Sequence, residues 1–261
     1  MDCDGIEIPA RVEYLACINH ATCLARGGVR IETVEHLLAA LSALGVDNVV
    51  VELDAAEVPI MDGSAAPFIY LIHQAGVRSL SEPRHHIKLT RPVAVGMDGR
   101  QVAAYPSDAF RVSYSIKFNH PLLRHQEHSI EVSESSFTEE IAPARTFGFL
   151  KDVELMRQNG LALGGSLDNA VVLGETGVLN NPLRFPDEFV RHKILDIIGD
   201  LTLLGRPLLA HVVAARAGHA LHTQLVRAIL AGSDNWELVR YPQPTGAAVA
   251  AAEPALSEPV S

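Results

Sequence analysis

Phe189-Val190-Arg191-His192-Lys193-Ile194-Leu195-Asp196-Ile197-Ile198-Gly199-Asp200 carries two periodicities at once. Val190, Ile194, Ile197, Ile198, Leu201 and Leu204 recur with helical spacing and make one apolar stripe. A helix over residues 187–204, closed by Gly205, follows from that stripe. His192, Asp196 and Asp200 recur every four residues, one turn apart, on a face turned away from the stripe and so outside the expected core. An imidazole and a carboxylate one turn apart can reach a single metal ion. Taken on spacing alone, a plain solvated acidic face is the commoner meaning of such a pattern.

Beyond Gly205 the sequence predicts a strand over 208–215 and a final helix over 220–230. His219, in Arg216-Ala217-Gly218-His219-Ala220, falls in the loop between them. A nearby carboxylate such as Asp200 could hold it protonated; otherwise it is a turn histidine. Upstream, the alternation of Phe110, Val112, Tyr114, Ile116 and Phe118 predicts a half-buried strand. Ser136 and Glu139 offer a capping box for a short helix. Arg145-Thr146-Phe147-Gly148-Phe149 sets a hydroxyl among aromatics, equally consistent with a core strand. A helix over 151–158 and a strand over 170–173 come next.

The first third reads as another α/β unit. Val34, Leu37, Leu38, Leu41 and Leu44 define a helix over 33–44, with Thr33 placed to cap it and Gly45 to end it. Off the stripe, His36 stands beside Glu35. A histidine ligand next to a carboxylate base suits a zinc hydrolase, and a glutamate in a first helical turn also suits the helix dipole. Residues 48–53 (Asn-Val-Val-Val-Glu-Leu) predict a buried strand, and a helix over 65–74 stops before Gly76. The polar, proline-containing stretch 81–86 is the best linker. The pairs His85-His86 and His125, His128 fall on polar loops and take no role.

The expected architecture is α+β: two domains, each a two-layer α/β sandwich, meeting at a cleft that holds the active site. The first spans 1–82 and the second 83–237, with an alanine- and proline-rich tail, 238–261, expected to be disordered. The 261 residues carry a formal net charge of -10, which argues against a nucleic-acid partner. Cys3, Cys17 and Cys23 match no disulfide framework and read as free thiols of a reducing compartment. There is no secretory leader and no apolar run long enough to span a bilayer, so a cytoplasmic chain without stable membrane insertion is expected. Nothing demands more than a monomer.

Eight strings together add a resemblance. TVEHLLAAL from Thr33, DNVVVEL from Asp47, EVPIMDGSAAPF from Glu57 and KFNHP from Lys117 come first. ARTFGF from Ala144, GLALGGSLDNAVV from Gly160, FVRHKILDIIGD from Phe189 and AGHAL from Ala217 follow. Taken in this order the sequence resembles the UDP-3-O-acyl-N-acetylglucosamine deacetylases, zinc enzymes of lipid A biosynthesis. The resemblance implies His36, His192 and Asp196 as zinc ligands and Glu35 as general base. His219, oriented by Asp200, would be the proton donor to the leaving amine, with Thr146 on the oxyanion. It further implies Lys193, Phe118 and Phe147 at the UDP-linked acylated glucosamine, and Leu150, Val153, Ala162 and Leu167 along the acyl chain. Against the family pattern the chain starts inside the first domain, without the usual first strands. The alternative is therefore a zinc- and ligand-binding homologue without turnover. His222 stands where asparagine is common, a departure expected to matter little.

Overall fold

In the computed structural model residues 5–18, 21–150, 169–180 and 182–240 are described. Strands β1 (Leu15–Cys17), β2 (Cys23–Arg26) and β3 (Val29–Ile31) form a small antiparallel sheet. Helices α1 (Glu35–Ala43) and α2 (Ala66–Ala75) follow. Next come β4 (His85–Leu89), β5 (Val93–Met97), β6 (Arg100–Pro106), β7 (Arg111–Ile116) and β8 (Gln126–Glu131). A helical turn, α3 (Glu134–Ser136), runs into a π turn at Phe137–Ile141. Strands β9 (Phe147–Phe149) and β10 (Val171–Leu173) pair in parallel. The chain then makes α4 (Glu188–Leu201), β11 (Leu208–Ala215), α5 (His219–Ala231) and β12 (Trp236–Arg240).

Strand β11 is the centre of a seven-stranded sheet. Its first two residues pair in parallel with β4; from Ala210 it pairs antiparallel with β6, and from His211 in parallel with β7. Ala210, Val212 and Ala214 are buried, while His211, Val213 and Ala215 are only partly so. Strand β7 alternates in step, with Val112, Tyr114 and Ile116 inward. This period-2 pattern gives the sheet one apolar face, on which α4 and α5 pack. The fold is α+β. Among the described residues no helix is long and apolar enough to cross a membrane.

Helix α1 lies along α4, on the side opposite the sheet. Both faces of α4 are therefore covered, which corrects the expectation of a solvated polar face: His192, Asp196 and Asp200 are all buried. Glu35 and His36, also expected off the core, are buried at the same contact. One contact needs a residue without a side chain. A Cβ on Gly199 would sit 2.1 Å from the Glu35 carbonyl oxygen, so only glycine lets the start of α1 come this close to α4.

Other expectations give way to tertiary context. Residues 48–53 belong to no ladder among the described residues, and Val49, Val50 and Val51 are exposed, Val50 at 76%. High β-propensity makes a strand only where a second backbone runs alongside. Thr33 does not cap α1. It takes φ 59° where β3 turns into the helix, and its hydroxyl donates to Glu57 Oε1 at 2.7 Å. The capping box lies three residues earlier than expected, between Ser133 and Ser136. Cys17 and Cys23 are not free thiols but a disulfide, because the β1–β2 pairing sets them opposite each other at a Cα separation of 5.0 Å. His85 and His86 lie in β4 and His128 in β8, not in loops. Strand β12 runs on β4 as far as Arg240, three residues into the segment expected as a tail. The helix expected over 151–158 lies outside the described residues.

Candidate active site

Helix α4 supplies two of three converging donors. His192 Nδ1 donates to the Ala144 carbonyl at 3.0 Å, which turns a bare Nε2 toward Asp196 Oδ1 at 3.3 Å. Across the helix contact, His36 Nε2 lies 3.8 Å from the same oxygen, with the two imidazoles edge to face at 4.9 Å. Burial, reinforced by His192, depresses His36 to a pKa of about 3, and burial lowers His192 as well. Burial opposes the charge of Asp196, but Lys193 and the surrounding histidines hold its carboxyl well below the ordinary range. The set is thus two neutral imidazoles and one carboxylate.

That set fits a tetrahedral metal ion. Donors about 2.0–2.1 Å from zinc lie roughly 3.3 Å apart at tetrahedral angles. His36 Nδ1 is buried without a hydrogen-bond partner, so Nε2 is the nitrogen turned toward the other donors, and a neutral ring that gave its Nε2 lone pair to an ion would carry its proton on Nδ1. Two lone pairs facing a carboxylate oxygen repel one another unless a cation lies among them. A second group, Asp200, His219 and His222, converges equally closely but for another reason. Its contacts are N–H···O hydrogen bonds of 2.7 and 2.8 Å to one carboxylate oxygen, which leaves no electron pair directed at an ion.

Glu35 sits in the first turn of α1, buried, with Oε2 accepting from the Thr22 backbone N–H at 3.0 Å. Burial raises its pKa to about 7, against the opposing pull of His219. His219 is the first residue of α5, not a loop residue, and its Nδ1 lies 2.7 Å from Asp200 Oδ2. Burial disfavours its charge, yet Asp200, helped by Asp196 and Glu35, lifts its pKa to about 9. Burial likewise opposes ionisation of Asp200, and His219 brings it down to about 2. A buried acid–base pair of opposite proton affinity therefore flanks the triplet.

The remaining predicted residues surround this centre. Lys193 Nζ donates to Asp196 Oδ2 at 2.8 Å and lies 5.6 Å from the Phe147 ring centroid; burial opposes its charge, and Asp196 outweighs that and raises its pKa. Phe147 contacts the His192 ring, and Phe118 contacts Phe147. Thr146 is half-buried, two residues beyond the carbonyl that orients His192, with its N–H donating to Gly63 O at 2.7 Å. Gly63 holds φ 85° against the Asn169 carbonyl, and Asp62 beside it pairs with Arg184. Leu150 is exposed. Val153, Ala162 and Leu167 lie outside the described residues.

Periodicity and spacing gave no sign of Thr22, whose backbone serves Glu35 and whose hydroxyl donates to Asp200 Oδ1 at 2.5 Å. His222 also joins Asp200, and it is three residues from His219 on one helix, a spacing visible in the sequence. Tyr114 reaches His222 from β7.

A buried two-imidazole, one-carboxylate set beside a carboxylate of raised pKa and a charged imidazole has the composition of a metal-assisted hydrolase centre. The model of one family, UDP-3-O-acyl N-acetylglycosamine deacetylase, matches residues 1–231, and the chain belongs to that family. Its relatives include UDP-3-O-acyl-N-acetylglucosamine deacetylases of Myxococcus xanthus strain DK1622, 50% identical over 235 residues, and of Coxiella burnetii strain RSA 493, 46% identical over 243 residues. These alignments cover 90% and 92% of the chain, and 75% and 80% of the two relatives. A relative from Chromohalobacter salexigens is 45% identical over 256 residues, 97% of the chain and 84% of its own length.

Proposed function

We propose that the protein hydrolyses the acetamide of UDP-3-O-acyl-N-acetylglucosamine, releasing acetate, as a zinc-dependent deacetylase of lipid A biosynthesis in the cytoplasm. One observation carries this: a donor set suited to zinc converges beside a buried Glu35 and a charged His219, in a chain of the deacetylase family. His36, His192 and Asp196 would hold the ion. An ion there supplies a Lewis acid for the amide carbonyl and acidifies the attacking water.

The protein's own residues do the proton work. Glu35 takes a proton from the water as its oxygen attacks the carbonyl carbon, and a carboxylate with a pKa near 7 suits that task at neutral pH. The Thr22 N–H holds one carboxylate oxygen and leaves the other for the proton. His219 keeps Nδ1–H on Asp200 and gives its Nε2 proton to the amine nitrogen as the C–N bond breaks. Thr146 donates to the oxygen that becomes negative in the tetrahedral state. Lys193 binds the substrate near its diphosphate or sugar, Phe118 the nucleotide end, and Phe147, beside both, also contacts the substrate. Leu150, with Val153, Ala162 and Leu167, receives the acyl chain.

The test is to measure zinc per chain in the purified protein and follow acetate release from the acylated UDP sugar. Stoichiometric zinc with acetate release supports the reading. Bound zinc without acetate would leave a ligand-binding homologue, and failure to bind zinc would sink both.

A further inference from the structure

The Asp200 carboxylate has more partners than a pairing with His219 needs. Oδ2 lies 2.7 Å from His219 Nδ1 and 2.8 Å from His222 Nδ1, and Oδ1 accepts from the Thr22 hydroxyl at 2.5 Å. His222 is fully buried in α5, and its Nε2 lies 3.0 Å from the hydroxyl of Tyr114, itself buried in β7. A hydrogen-bonded chain therefore runs from the sheet, through a second histidine, to the carboxylate that orients the first.

Proton counting leaves one arrangement. Asp200 is ionised and carries no proton, so both Nδ1 atoms facing it must donate. The Thr22 hydrogen is spent on Oδ1, so its oxygen, 3.2 Å from His219 Nδ1, can only accept. Burial depresses the pKa of His222 and keeps the ring neutral, so its Nε2 accepts and Tyr114 donates. Burial also pushes the Tyr114 hydroxyl well above its ordinary range, so this donor is never lost. Both rings are thereby fixed in orientation, and the one free nitrogen of His219 is Nε2.

We propose that His222 and Tyr114 are positioning residues that act through Asp200, sharing its Oδ2 with His219 and fixing His219 with Nδ1 protonated and Nε2 presented to the leaving group. The proposal rests on the reading of His219 as proton donor. Two donors divide the charge of one oxygen, so His222 also moderates how strongly Asp200 holds the His219 proton. The other groups facing His219 are Asp196, His192 and His36 around the triplet, Glu35 on α1 and Thr22 before β2, and the variants below leave all of them in place.

The test uses the zinc-loaded protein with His222→Leu, His222→Asn and Tyr114→Phe, read by imidazole 15N NMR titration and by steady-state acetate release. His222→Leu should move the His219 titration to higher pH, by roughly 0.5–1 unit, because Oδ2 is no longer shared. Its kcat should fall about tenfold with KM within about twofold and zinc content unchanged. His222→Asn, which retains an N–H for Asp200, should recover most of that loss. Tyr114→Phe keeps the core volume and takes the hydroxyl donor away from Nε2, so the His222 Nε2 15N resonance should move toward that of an unbonded ring nitrogen while Asp200 still holds the proton on Nδ1. A His219 titration unmoved by His222→Leu, or a kcat that falls only as zinc is lost, overturns the proposal. If His222→Leu does not fold, a His222 Nε2 resonance unmoved in Tyr114→Phe overturns it equally. Absence of acetate release from the wild type would refute the proposed reaction alone, since the NMR titration still decides the relay.

Discussion

Asp196 and Asp200 are one turn apart on the same helix, both buried and both ionised, and they hold opposite assignments. Asp196 faces two neutral imidazoles, whereas Asp200 faces imidazole N–H groups. Asp196→Ala should therefore lower zinc affinity first, measured as metal per chain after dialysis. His219→Ala should keep its zinc and lose turnover, by about 10²-fold or more. Zinc loss in that variant would contradict its role as donor. His219 must be charged to act, and its pKa is raised to about 9, so activity should hold toward alkaline pH and fall as the pH passes 9. Asp200→Asn removes the main cause of that shift. The alkaline limb of kcat/KM should then move down toward the ordinary histidine range near 6.5.

The contact between α1 and α4 explains what the sequence could and could not tell. Both helices were legible from their apolar stripes, α4 nearly to its ends. Their polar faces were not, because a helical wheel marks where a side chain points but not which element lies there. His36 and His192 could thus be read as surface residues until a second helix covers them. Gly199 carries no periodicity or motif of its own, and its use appears only in the 2.1 Å approach that a Cβ would make to Glu35 O. Gly199→Ala should cost about 1–3 kcal/mol by forcing the helices apart, read as a lower Tm. It should also weaken zinc binding, because His36 rides on the same turn as Glu35. A full-affinity variant of unchanged stability would exclude this role for the contact. Thr22 escaped notice for a related reason: it sits in an irregular stretch where no periodicity marks a face.

At the scale of the molecule, the donors come from segments far apart in the chain, joined over a common apolar core. If zinc binds only the folded arrangement, it stabilises the whole molecule. Zinc at 100 times its Kd should add about 2.7 kcal/mol, and stripping the metal with a chelator should lower Tm accordingly. A Tm indifferent to zinc would mean that the triplet does not hold it. Strand β7 was legible because its inward and outward residues alternate in the sequence. The run 48–53 was misread because composition can propose a strand but cannot supply its neighbour.

Thr22 and Asp200 are separated by 178 residues yet share a hydrogen bond. On the ribosome, the early part of the site emerges long before its counterpart exists. For that interval Glu35 has no His219 and His36 no Asp196, and the face of α1 that will be buried is wet. Catalytic competence therefore arrives late and all at once, when α4 and α5 leave the exit tunnel. A nascent chain halted anywhere before them should carry no trace of the finished site.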